Sequence, residues 1–162
     1  MLMKEGLEPI IDDQSRILIL GTLPGEKSLS KRKYYADNCN KFWKILSCIF
    51  EEQIKQVYES KLEFLYRKGI ALWDVLKAAE REGSSDSSID KPDLNDLEGL
   101  IKKHPSIKII GFNGKCAKKF FMHEYVDNPV FSALKLIQLM STSARLEVSL
   151  EVKVKNWQKL FS

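Results

Sequence analysis

The chain has 162 residues, enough for one domain around one core, and it is 44% hydrophobic and 30% charged, as ordinary globular proteins are. No apolar run approaches the roughly 18 residues that cross a bilayer, and the run Ile17–Leu20 has only strand length, so no membrane partner is expected. The net charge of +4 is mildly basic, which by itself is weak evidence for any partner.

The opening MLMKEGLEP places acids ahead of the first hydrophobic segment, which argues against a secretory signal. Arg16–Leu20 predicts a first strand that ends at Gly21. A long loop punctuated by Gly and Pro follows. Helical spacing begins near Asn40 with Phe42, Ile45, Leu46 and Ile49. A second helix is expected over Ile54–Arg67, stopped at Gly69. Ile70–Val75 reads as a second buried strand, and the Ser-, Gly- and Asp-rich stretch Arg81–Pro92 as a loop. Asp93 can cap a helix over Leu94–Lys103, ended before Pro105. Ile107–Gly111 predicts a third strand, Gly114 to about Met122 a helix, Leu134–Leu139 a fourth strand, and the chain closes on a helix up to Phe161.

Short, continuously apolar strands separated by helices indicate a parallel sheet covered on both faces. The expected fold is a single α/β domain over 1–162, a three-layer α/β/α sandwich with a central four-stranded parallel sheet. Ligands of such sheets gather beyond the carboxyl ends of the strands. Those ends carry Gly21–Gly25, Asp74, Phe112–Gly114 and Ser141–Arg145, which should converge on one cleft.

Cys39, Cys48 and Cys116 are odd in number and match no metal-ligand spacing, and His104 and His123 lie near no Cys pair. Reduced thiols, an intracellular setting and no metal are expected. Gly21-Thr22-Leu23-Pro24-Gly25 leaves the first strand through a tight turn that lets another molecule approach the backbone. Its spacing is neither GxGxxG nor that of a phosphate loop, so no nucleotide cofactor is expected. Between Lys33 and Trp43 the chain then packs Tyr34, Tyr35, Phe42 and Trp43 with the amides of Asn38 and Asn40. A ring in a strand-end loop can stack on a flipped base. Phe42 and Trp43, which begin an amphipathic helix, are expected in the core, and Asn40 is equally well placed to cap that helix. Lys27, Lys31, Arg32 and Lys33 cluster in this loop, and Lys115, Lys118 and Lys119 in another, a distribution suited to phosphates.

The pattern GTLPG, YY and N-x-FW resembles the first motif of the uracil-DNA glycosylase superfamily, in its hypoxanthine-DNA glycosylase branch. Ala71-Leu72-Trp73-Asp74-Val75, Asp86-Ser87-Ser88-Ile89, Phe112-Asn113-Gly114-Lys115 and Leu139-Met140-Ser141-Thr142-Ser143-Ala144-Arg145 agree in order, so the resemblance covers about Arg16 to Phe161. It implies a monofunctional DNA glycosylase, most simply a monomer, that removes a deaminated base, hypoxanthine first, in base-excision repair. The duty that mismatch-specific relatives give to an Asn at the position of Leu23 falls in this branch to the Asn before Phe-Trp, hence Asn40. Gly21, Thr22, Leu23, Pro24, Tyr35 and Asn113 would surround the base. Ser87, Ser141, Thr142, Ser143, Arg145 and Lys115 would hold the DNA. Two departures stand out. Asp37-Asn38-Cys39-Asn40 replaces the His-Pro element usual ahead of the catalytic Asn, leaving Asn38 as a rival. Met140 replaces a proline, which implies a looser last loop. Two other readings remain open: a uracil or mismatch glycosylase of the same fold, and a nucleic-acid-binding homologue without the chemistry.

Overall fold

The computed structural model describes residues 2–162, so Met1 of the expected 1–162 domain lies outside the described residues. Its frame is a four-stranded parallel sheet in the order β3-β2-β6-β7, formed by β2 (Ile17–Gly21), β3 (Ile70–Asp74), β6 (Ile109–Asn113) and β7 (Lys135–Leu139). The pleat of β2 divides its side chains between two cores. Leu18 and Leu20 pack with α4 (Leu97–Lys103) and α5 (Lys115–Tyr125). Ile19 faces α2 (Phe42–Phe50), α3 (Tyr58–Arg67) and α6 (Leu150–Gln158), whose Phe42, Phe64 and Trp157 are fully buried. The four-stranded parallel sheet and its two helical layers are thus as the apolar runs indicated.

A second, three-stranded antiparallel sheet was not expected. It has the order β1-β4-β5, from β1 (Met3–Glu5), β4 (Leu76–Glu80) and β5 (Asp90–Leu94). Its strands are short and largely polar, and β5 carries Pro92 beside Lys91 at φ 50°, which reads locally as a turn. Pairing with β4, not intrinsic propensity, makes that part of Arg81–Pro92 a strand. Residues Glu26–Lys31, expected within a loop, form a short helix α1, whose two serines are weak helix formers.

Other boundaries shift by a few residues. Helix α3 begins at Tyr58 rather than Ile54, because Val57 is in the extended region. Asp96 caps α4, its carboxylate accepting from the Gly99 amide at 2.9 Å, while Asp93 is paired with Ala78 in the second sheet. Strand β6 starts two residues late and carries Asn113 as its last member. Gly114 then turns at φ 100°, a conformation that strains any other residue, and α5 follows at once.

Candidate active site

The carboxyl ends of the four parallel strands open into one cleft of about 660 Å³. Gly21–Gly25, Asp74, Asn113 and Ser141–Arg145 all line it, so the four strand-end segments do meet. Tyr35 and Asn40 close one side, and Ser84–Ser87 another.

The aromatic loop is built outward from the core. Phe42 is fully buried and stacks on Tyr35, with ring centroids 4.0 Å apart and planes at 18°. Trp43 clasps the same loop, its indole N–H donating to the Tyr35 carbonyl at 3.1 Å. These contacts hold Tyr35 at φ 52°, a left-handed conformation uncommon for an aromatic residue. Tyr34 belongs to the core, where its hydroxyl donates to the Glu8 carbonyl at 2.8 Å.

Asn40 is half-buried in the wall of the cleft, whereas Asn38 is exposed and does not line it. The Asn40 amide oxygen accepts from the Phe42 backbone N–H at 3.0 Å, just ahead of α2. The N-cap of α2 is Lys41, so Asn40 does not cap the helix as its spacing allowed; its bond closes a turn one residue ahead of the cap. That turn uses one oxygen lone pair, leaving the second and the NH2 group for a ligand.

Asn113 brackets the site. Its NH2 donates to the Tyr35 hydroxyl at 3.1 Å and to the Thr142 hydroxyl at 3.0 Å, and its oxygen accepts from the Thr142 N–H at 2.9 Å. One side chain thus fixes the aromatic loop to the last loop, with a single oxygen lone pair left for a ligand. Ser141, Ser143 and exposed Arg145 continue along the rim, and Ser87 faces them from the serine-rich segment. Lys115 is exposed at the start of α5 but is not part of the lining; nor are Lys31, Arg32 and Lys33, although Lys27 is.

The last loop is anchored where the sequence pointed to slack. Met140 donates its backbone N–H to the Asn156 amide oxygen at 2.8 Å, a bond that a proline at that position could not make. Its carbonyl accepts from the Trp157 indole at 2.8 Å. Buried Lys153 donates to the Ser143 carbonyl at 2.9 Å. All three anchors come from α6, and none was apparent from sequence, since each reads as an ordinary helix residue.

Two further groups complete the site: Arg81, whose role no sequence pattern indicated, and Asp74. Arg81, fully buried at the end of β4, donates to the carbonyls of Leu23 at 3.0 Å, Pro24 at 2.6 Å and Gly83 at 2.9 Å. It holds the glycine turn against the serine-rich segment, with the Asp86 carboxylate 3.6 Å away. Asp74 is paired in register with Gly21, and a Cβ on Gly21 would come within 2.5 Å of the Asp74 carboxylate. Only glycine lets that carboxyl sit at the base of the turn. Its other oxygen, Oδ2, is buried with no hydrogen-bond partner among the described residues. Burial first, and then the Asp86 carboxylate, push the Asp74 carboxyl up to about 7, against a smaller pull from Arg81.

No group of His, Cys, Asp and Glu among the described residues has the arrangement of a metal site. None of their helices is long and apolar enough to cross a membrane.

Fold and cleft together define an α/β/α domain whose ligand site lies at the carboxyl ends of a parallel sheet, walled by amides, hydroxyls and one stacked tyrosine. A family model described as the uracil DNA glycosylase superfamily matches residues 8–161, and the chain belongs to that superfamily. It is 35% identical over 163 residues to the hypoxanthine DNA glycosylase of Methanosarcina barkeri, covering 99% of each chain. It is 39% identical over 120 residues to the hypoxanthine DNA glycosylase of Methanosarcina acetivorans, covering 74% of this chain and 76% of the relative. Among solved structures it resembles a solution NMR structure from M. acetivorans described as a candidate uracil DNA glycosylase. That match has a TM-score of 0.80 and 32% identity, covering 99% of this chain and 100% of the other. By family the chain is a DNA glycosylase, a hydrolase of the N-glycosidic bond.

Proposed function

We propose that this chain excises a deaminated base, hypoxanthine in preference to others, from DNA, and that Asn40 is the catalytic amide. The observation that carries the reading is the free amide edge of Asn40, in the wall of the cleft beside the stacked Tyr35. Breaking an N-glycosidic bond puts positive charge on the sugar and negative charge on the departing base. Fixed polar groups aimed at those charges lower the barrier. The free oxygen lone pair of Asn40 accepts a hydrogen bond from the attacking water and aligns it with the anomeric carbon. Tyr35, backed by Phe42, offers its cleft side to the flipped base. The turn Gly21-Thr22-Leu23-Pro24, held by Arg81, contacts one edge of that base. Asn113 acts mainly by holding Tyr35 and Thr142 in place, and its remaining lone pair reads the base. Ser87, Ser141 and Ser143 bind backbone phosphates, while Arg145 and Lys115 add charge along the DNA path; these contacts set register rather than sequence. Thr142, buried and bonded to Asn113, positions the last loop rather than touching the DNA.

The relatives' names support hypoxanthine. The solved neighbour's description supports uracil, and both bases present a carbonyl beside an N–H. The enzyme acts inside the cell, a reading supported by its three unpaired cysteines, and is taken to work as a monomer. Duplexes carrying hypoxanthine, uracil or xanthine, scored by alkaline cleavage at abasic sites, test the proposal. Preferred cutting at hypoxanthine supports it, preferred cutting at uracil transfers the activity to the second reading, and no cutting of any duplex refutes both.

A further inference from the structure

Asp74 combines features that a merely structural carboxylate does not need. It is 5% exposed, it lines the cleft, and its Oδ2 has no hydrogen-bond partner among the described residues. An ionised carboxylate left unsatisfied in such a place is costly, so buried acids that carry charge are paired. The nearby cation does not fill that role: Arg81 gives three of its N–H groups to the carbonyls of Leu23, Pro24 and Gly83 and makes no hydrogen bond to Asp74. The absence of a Cβ at Gly21 keeps the carboxyl against the turn that receives the base.

We propose that Asp74 is held as a neutral carboxylic acid at the floor of the cleft and pairs with the lactam edge of the extruded base. Its O–H donates to the base carbonyl oxygen, and its C=O accepts from the adjacent ring N–H. This inference rests on the glycosylase reading above and assigns the partner of one edge of the base.

During hydrolysis the oxygen of water bonds to the anomeric carbon while the bond from that carbon to the base nitrogen breaks. The electron pair stays with the base and spreads onto the carbonyl oxygen that Asp74 faces. Water gives up one proton to the medium and the departing base takes one, so an abasic sugar and a neutral base result. Asp74 is neutral at both ends of the step, and it serves as a hydrogen-bond donor whose strength grows with the charge on the base.

The charged and titratable groups that face Asp74 support its neutral state. From the serine-rich segment, Asp86 opposes ionisation and Arg81 favours it more weakly; from the aromatic loop come only the hydroxyls of Tyr34 and Tyr35. Gly21, its neighbour in the sheet, brings no side chain.

The test is the pH profile of single-turnover excision on a hypoxanthine duplex, for wild type, Asp74→Asn and Asp74→Ala. The wild-type rate should fall by about tenfold per pH unit above the ionisation of Asp74. Asn presents an N–H and a C=O at every pH, so its alkaline fall should disappear, whatever the height of its profile. Ala should lose about 10²-fold in rate. A wild-type rate that rises through neutral pH, or an Asp74→Asn profile that still falls, overturns the assignment while leaving the glycosylase intact. A wild type that cuts nothing sinks both readings.

If Asp74→Asn does not fold, the carboxyl carbon of Asp74 can be followed by 13C NMR in the wild type. Free hypoxanthine should raise its titration midpoint; an unchanged or lowered midpoint refutes the pairing.

Discussion

Substituting Asp74 by Asn should stabilise the protein, and the gain should grow with pH in a defined window. In the unfolded chain an aspartate ionises near its ordinary 3.8, whereas in the fold Asp74 keeps its proton to about 7. Between those values the unfolded chain has released a proton that the native protein retains. Stability therefore falls as pH rises through the window and stays low above it. A difference of about three units, at roughly 1.4 kcal/mol each, makes the full loss on the order of 4 kcal/mol. Asn carries no such proton, so the variant escapes this decline. Urea unfolding of wild type and Asp74→Asn at intervals from pH 4 to pH 8 measures it directly. The gap should widen in favour of the variant up to about pH 7 and then level off. A gap that is constant with pH would mean that Asp74 ionises normally in the fold, and the argument from its buried, unpartnered oxygen would be wrong.

Three other substitutions test the surroundings of the cleft. Gly21→Ala sets a methyl within 2.5 Å of the Asp74 carboxylate and 3.4 Å of the Tyr35 hydroxyl, so base excision should drop by at least about tenfold; an unimpaired rate would show that the floor adapts freely. Asn156→Ala leaves the Met140 N–H without its acceptor and should lower the unfolding free energy by about 1–2 kcal/mol in urea titrations. Unchanged stability would mean that α6 does not anchor the loop through this bond. Arg145→Ala should weaken binding to DNA of any sequence and reduce the slope of log affinity against log salt by about 1, whereas an unchanged slope places Arg145 off the phosphates.

The parallel sheet was legible because β2 and β3 are buried on both faces and therefore read as continuous apolar runs. The cleft was legible for the same reason: once those strands are placed, Gly21, Asp74, Asn113 and Ser141 fall at their carboxyl ends. The second sheet left no such trace. Asp90–Leu94 is polar and contains a proline, and it becomes a strand only through its partner β4. The roles of Arg81 and Lys153 depend on carbonyls distant in sequence, which no local pattern reveals. Met140 shows a different limit. Its replacement of a proline suggested a looser loop, yet the freed N–H is the one that Asn156 binds. Asp74 was visible at its strand end, but only the neighbourhood of Asp86 and the missing hydrogen-bond partner mark it out.

The central claim concerns Asn40, and one comparison tests it most directly: excision of hypoxanthine from a duplex by wild type, Asn40→Ala and Asn38→Ala under single-turnover conditions. Wild type should release the base. Asn40→Ala should be slower by about 10²–10³-fold, and Asn38→Ala, altered at an exposed residue outside the cleft, should match wild type. Cleavage retained in Asn40→Ala and lost in Asn38→Ala would contradict the account.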